Sequence, residues 1–256
     1  MCLLVFAWKT QPTAPFVLVA NRDELHARPS APLEWWSQPR ILGGRDLQSG
    51  GTWLAMDADG RLGAITNLRG APTPSQAPSR GELIPCFLAS GLRPADFLKA
   101  LAPEVPRYAG FNLLLGNSHE LLVLSSADPQ RPRRLAAGIY AISNNPLDAD
   151  WPKVRRARAA LAAVLTESPL TTESLLETLA DRTEADVQDL PQTGLTMARE
   201  RTLSSAFIVD DTYGTRCTTA VHHRGLSIDV VEQSFTADGG KSGRRTERID
   251  LQNTAE

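Results

Sequence analysis

Cysteine is scarce in this chain, with three in 256 residues, at positions 2, 86 and 217. An odd number at such wide spacings builds neither a disulfide framework nor a zinc site of paired Cys-x-x-Cys type. Each is therefore expected as a free thiol in a reducing compartment. Long apolar runs are missing as well. Leu3–Ala7 and Phe16–Ala20 fall far short of the roughly 20 residues a membrane-spanning helix needs. The start, Met1-Cys2-Leu3-Leu4-Val5, has no basic region, no extended apolar core and no small-residue cleavage site, so it does not read as a secretory signal and a cytoplasmic location is expected. Lysine is rare, four of 27 basic residues, and these 27 nearly balance 29 acidic ones for a formal charge of −2. With no block of like charge to track a phosphate backbone or an anionic surface, neither nucleic acid nor a membrane is an expected partner. No clustering of ligand residues suggests a metal site.

What remains is ordinary globular composition, 42% hydrophobic and 22% charged, long enough for one large domain or two small ones. Cys2–Trp8 and Phe16–Ala20 are short, apolar and separated by turn-forming residues, which predicts a hairpin. Thr52–Met56 with Arg61–Asn67 flank Asp57-Ala58-Asp59-Gly60, and Phe111–Leu115 with Leu121–Ser125 flank Gly116-Asn117-Ser118, in the same manner. Gly138–Ser143 is a further expected strand. Ser204–Asp210, Arg216–His223 and Leu226–Phe235 suggest a meander. Helical spacing marks Gly81–Ser90, with Ser79 as its cap, then Pro94–Leu101, Lys153–Leu165 and Thr172–Leu179. Hairpins interleaved with helix pairs predict an α+β layered domain with antiparallel sheets over residues 1–236. Residues 237–256 are expected as a partly flexible C-terminal tail, with Ala237–Arg245 fraying.

Cys2 carries the chemical interest. Trimming of the initiator methionine beside a small side chain would leave a cysteine bearing a free α-amine at the start of a strand. An α-amine titrates near 7.7–8.0 and a thiol near 8.5, so the amine takes the thiol proton and the thiolate attacks a carbonyl. In the expected hairpin the end of the second strand lies beside Cys2, and there the chain reads Asn21-Arg22-Asp23-Glu24. Asp23 is suited to hold or orient the amine, and Arg22 to lower a thiol pKa or bind an anionic group. Asn67 and Asn144 close other strands, where a side-chain amide makes an oxyanion donor without adding charge. Arg216 opens a late strand and either enters the same cleft or faces water.

Several motifs in order, Ala20-Asn21-Arg22-Asp23-Glu24, Arg28-Pro29, Gly50-Gly51-Thr52-Trp53-Leu54, Thr66-Asn67, Arg80-Gly81-Glu82-Leu83, Gly110-Phe111-Asn112-Leu113, Ser143-Asn144 and Tyr213-Gly214-Thr215-Arg216, resemble the NRDE family, also called the transport and Golgi organisation protein 2 family. The resemblance covers roughly residues 1–235. It implies an N-terminal nucleophile hydrolase-like fold, a four-layer αββα sandwich of two antiparallel sheets. It further implies a cysteine amide hydrolase or acyltransferase acting on a linear amide or thioester; as a hydrolase it would act on C–N bonds other than peptide bonds. Cys2 is then the nucleophile, with Arg22, Asp23, Asn67, Asn144 and Arg216 as catalytic positions and Asn21, Glu24 and Trp53 as binding positions. No cofactor is required by that chemistry. The same resemblance implies an alternative, a non-enzymatic carrier of haem or of lipid and acyl-CoA. Haem as a ligand would draw its axial ligand from His119, His222, His223 or Cys217.

Overall fold

The structure is a computed structural model describing residues 2–167 and 169–252. The order along the chain is β1 (Cys2–Gln11), β2 (Ala14–Leu25), β3 (Ser30–Trp35), β4 (Ile41–Asp46), β5 (Leu54–Asp57), β6 (Leu62–Asn67), α1 (Leu83–Ser90), α2 (Pro94–Leu101), β7 (Phe111–Gly116), β8 (Leu121–Ser125), β9 (Arg133–Arg134), β10 (Gly138–Ile142), α3 (Pro152–Val164), α4 (Thr172–Glu177), α5 (Met197–Thr202), β11 (Tyr213–Arg224), β12 (Ser227–Phe235) and β13 (Lys241–Asp250). These form two sheets, ordered β10-β1-β2-β11-β12-β13 and β3-β4-β5-β6-β7-β8-β9, with antiparallel neighbours throughout.

β1 shows why the layers stack. Successive side chains of a strand point to opposite faces, and here both faces are apolar. Leu3, Val5 and Ala7 pack with Val154 and Leu161 of α3 and Leu175 of α4. Leu4, Phe6 and Trp8 face the other way, onto Leu42, Met56 and Leu114 of the second sheet. That second sheet buries its outer face against Ile84 and Phe87 of α1 and Leu98 of α2. The result is the αββα sandwich, three apolar seams between four layers. No helix among the described residues is long and apolar enough to cross a membrane.

Five expectations change. β2 does not stop at Ala20 but runs to Leu25, because β1 and β11 flank it on both sides and satisfy its backbone through the polar residues. β3 and β4 carry Pro32 and the Gly43-Gly44 pair, which mask the alternation that signals a strand. Ser204–Asp210 is no strand: its buried Ala206, Phe207 and Ile208 sit in turns, tied by Phe207 N–H to Asp181 O and by Thr215 N–H to Ile208 O. The stretch from 241 to 250 is no fraying tail but β13, zipped along β12 with Ile249 buried. Its exposed edge is crowded with Arg and Lys, as a sheet edge that must not pair with other chains tends to be. Ser79 makes no side-chain cap.

Candidate functional site

The open end of the first hairpin sets the site. Cys2 stands opposite Arg22 across β1 and β2, and Arg22 stands opposite Cys217 across β2 and β11, with a bulge between Thr215 and Cys217. The bulge re-aims the ladder where Asp23 meets Thr215. A cleft of about 310 Å³ opens there, and Cys2, Arg22, Asp23, Glu24, Trp53 and Asn67 all line it.

Three glycines allow the cleft its walls. A Cβ on Gly44 would lie 2.3 Å from the ring of Trp53, so only glycine lets that indole settle across β4. A Cβ on Gly51 would lie 2.4 Å from the carbonyl carbon of Gly81, and this close approach lets Thr52 N–H donate to Gly81 O at 3.0 Å. That contact brings Arg80 to the cleft, whose lining it shares with Arg28 and Asp46. The Arg22 guanidinium lies 4.2 Å from the Trp53 ring centre and reaches Asp46 Oδ2 at 3.5 Å. Arg28 Nε donates to the same oxygen at 2.7 Å, while Gln48 and Ser49 N–H groups donate to Oδ1. Burial would raise the Asp46 carboxyl, but the bonds from Arg28 and Ser49 outweigh it and hold the group below its ordinary range.

Asp23 is buried, and Thr215 Oγ1 donates to its Oδ1 at 2.8 Å while Tyr213 OH donates to its backbone oxygen at 2.8 Å. Burial pushes its carboxyl up to about 6, with Lys153 pulling the other way. Lys153 is itself 1% exposed, donates from Nζ to Leu203 O at 2.9 Å, and is brought down to about 8 by the same loss of solvent. Cys2 is half-buried, and desolvation raises its thiol, with Asp23 adding to the rise and Arg22 opposing it. An un-ionised thiol in this setting needs a base beside it.

The remaining expected residues separate into two groups. Asn67 lines the cleft. Asn144 stands behind it: its Nδ2 donates to Asn67 O at 2.9 Å, it is buried, and it does not reach the cleft wall. Arg216 neither enters the cleft nor faces water alone. It spans the carbonyls of Leu25, His26 and Arg28, bracing the turn that presents Arg28. Asn21 points to the helical face, where Nδ2 donates to Leu179 O and Ala206 O and Oδ1 accepts from Thr218. Its expected place among binding residues is corrected: it does not line the cleft, and its amide is used on Leu179, Ala206 and Thr218 one step further into the fold. Glu24 lines the cleft while its Oε1 accepts the Leu25 N–H.

Arg28, Asp46, Arg80, Lys153 and Thr215 had no assigned role in the sequence. Arg28, Arg80 and Thr215 lie within the motifs quoted above, and Lys153 is one of only four lysines in an arginine-rich chain. Of the four haem-ligand candidates none lines the cleft. His222 is buried, brought down to about 4 by desolvation and bonded from Arg224 Nε at 3.1 Å. His223 Nε2 meets Gly225 O at 2.9 Å, His119 is exposed, and Cys217 is buried. None of the four lines the apolar cavity walled by Leu68, Tyr108 and Pro146 either.

The sequence matches the family model described as Transport and Golgi organisation 2 over residues 1–237. A mouse Transport and Golgi organization 2 homolog is 34% identical over 168 residues, 60% of this chain and 60% of that protein. The match thus spans less than two thirds of that relative's length. The human Transport and Golgi organization protein 2 homolog is 30% identical over 205 residues, 75% of this chain and 74% of that one. Among solved structures, a Caenorhabditis elegans N-acylethanolamine-hydrolyzing acid amidase (NAAA) ortholog overlays 86% of this chain and 92% of its own, at 10% identity and a TM-score of 0.39. That likeness is too distant to carry function across. The length and identity of the other matches decide the family, and the chain belongs to the Transport and Golgi organisation 2 family.

Proposed function

We propose that this protein is an N-terminal-cysteine amide hydrolase or acyltransferase. The observation that carries the reading is the placement of Cys2 at the first residue of β1, in a cleft shared with Asp23 and Asn67 and directly opposite Arg22. Met1, whose removal the chemistry requires, lies outside the described residues. With Cys2 as first residue, its α-amine takes the thiol proton, and Sγ bonds to the substrate carbonyl carbon. The C–N bond then breaks, the amine returns the proton to the leaving nitrogen, and water or an acceptor amine cleaves the thioester. Asp23 orients the amine from the strand beside it. Asn67 faces the developing oxyanion, and Asn144 holds Asn67 in place through its backbone oxygen. Turnover of a panel of small acyl amides and thioesters by the natively expressed chain tests this. Activity lost in Cys2→Ala supports it, and equal activity in that variant removes it.

A carrier role is the second reading. Its support is an apolar cavity of about 560 Å³ on the far side of the 68–79 loop, walled by Leu68, Pro72, Pro74, Pro106, Tyr108 and Pro146. Titration with haem and with long-chain acyl-CoA, read by absorbance and calorimetry, tests it, and absence of saturable binding of either counts against it.

A further inference from the structure

Three guanidinium groups, those of Arg22, Arg28 and Arg80, face the cleft that holds Cys2. Their carboxylate partners are few. Asp46 is shared by Arg22 and Arg28. The Glu24 Oε1 is turned back on the N–H of Leu25, and Asp23 Oδ1 is engaged by Thr215. Arg80 donates from Nη1 to the carbonyl of Gly110 at 2.8 Å and pairs with no carboxylate within ion-pair distance among the described residues. Arg22 is 4% exposed, and its Nη1 has no hydrogen-bond partner among the described residues, although it is buried at the cleft wall. A buried guanidinium nitrogen without an acceptor is costly to the fold unless a ligand supplies one. The cleft also offers little to a long alkyl chain. The Trp53 ring is already covered by Arg22, and the volume is at the low end for small-molecule sites.

We propose that the substrate is compact and carries an anionic group, a carboxylate or a phosphate, close to its reacting carbonyl, and that Arg80 together with Arg22 and Arg28 grips that group. Guanidinium forks suit either anion, because each presents paired donors to paired oxygens. The brace from Arg216 to the carbonyls around Arg28 and the Gly51 to Gly81 contact behind Arg80 hold two of the three arginines in position beforehand. The inference rests on the Cys2 reading for its reaction, but its recognition half stands on the arginines alone.

The test uses matched probes, N-acetylglycine, N-acetylglycinamide and N-acetyl-O-phosphoethanolamine, in two assays. Turnover is measured with the intact enzyme, and binding is measured by calorimetry with the full-length Cys2→Ala protein. The anionic probes are expected to show a KM and a Kd about 10- to 100-fold below the neutral one, the usual worth of a hydrogen-bonded charge. Whichever anionic probe binds tighter identifies the anion. Arg80→Gln is expected to erase the preference by raising the KM and Kd of the anionic probes, and Arg80→Lys to restore part of it. Thermal melts check that each variant folds, and Arg28→Gln serves where Arg80→Gln does not. Equal binding of charged and neutral probes, or a preference that survives Arg80→Gln, overturns the inference even if Cys2-dependent turnover is present. Arg80-dependent anion binding without turnover of any probe supports the inference and counts instead against the Cys2 chemistry.

Discussion

Asn21 and Asp23 lie two residues apart on β2, share one face of the strand and are almost wholly buried, yet they serve opposite ends. Asn21 satisfies its donors and acceptor on Leu179, Ala206 and Thr218, stitching the sheet to the 179–206 layer. Asp23 sits where desolvation lifts its carboxyl to about 6, an unfavourable place for a charge that the cleft nevertheless keeps next to Cys2. Two polar residues of one tetrapeptide thus separate into a group that stabilises the fold and a group whose burial at the cleft wall costs stability. Proteins commonly hold functional groups at such a cost.

The largest effect that sharpens this contrast is on turnover. Cys2→Ala is expected to lower the rate by about 10⁶-fold, the scale seen when a nucleophile is removed, while its unfolding free energy moves by less than about 1 kcal/mol. Rates from the amide panel and a urea titration read the two halves of that statement. Next comes Asn21→Ala, which strips three buried hydrogen bonds and orphans their partners. It should cost about 3–4 kcal/mol of stability, seen as a lower urea midpoint.

Asp23→Asn should do the reverse. The folded carboxyl titrates near 6 against an ordinary 3.8, so the folded chain binds this proton more tightly than the unfolded one. That contribution is complete below about pH 4 and is lost as pH rises through about 6. At pH 7 the neutral amide therefore recovers about 1–3 kcal/mol, and the fall in Tm between pH 4 and 6 becomes shallower while turnover drops. A variant that melts lower than the parent at pH 7 would break the comparison. The smallest effect belongs to Arg216→Ala, which frees the turn carrying Arg28. About 1 kcal/mol of stability and a several-fold rise in KM are expected, with kcat little changed.

The first hairpin was legible because both faces of β1 are buried and its apolar residues run without interruption. Its register followed, and with it the meeting of Cys2 with Arg22. The helices α2 and α3 announced themselves by helical spacing, α3 starting one residue earlier than expected, at Pro152. β3 and β4 were hidden by proline and glycine, and Ser204–Asp210 imitated a strand because a single buried crossing needs the same apolar residues as a ladder. In the site, the residues placed by local strand geometry, Cys2, Asp23 and Asn67, were readable. Arg80, Asp46 and Lys153 were not, since the Gly51 to Gly81 contact and the seating of α3 on β1 join segments far apart in the chain. Asn144 and Arg216 look chemical in sequence but spend their donors on backbone carbonyls, which only long-range packing decides.

Everything turns on whether Cys2 is the first residue and reacts there. Intact-mass spectrometry of the natively expressed protein, before and after brief exposure to p-nitrophenyl acetate, reads both at once, with peptide mapping to locate the label. The account predicts a chain lacking Met1 that gains a single acetyl group on Cys2 and loses it again on standing in water. A chain that retains Met1, or one acetylated equally well in the Cys2→Ala variant, contradicts it.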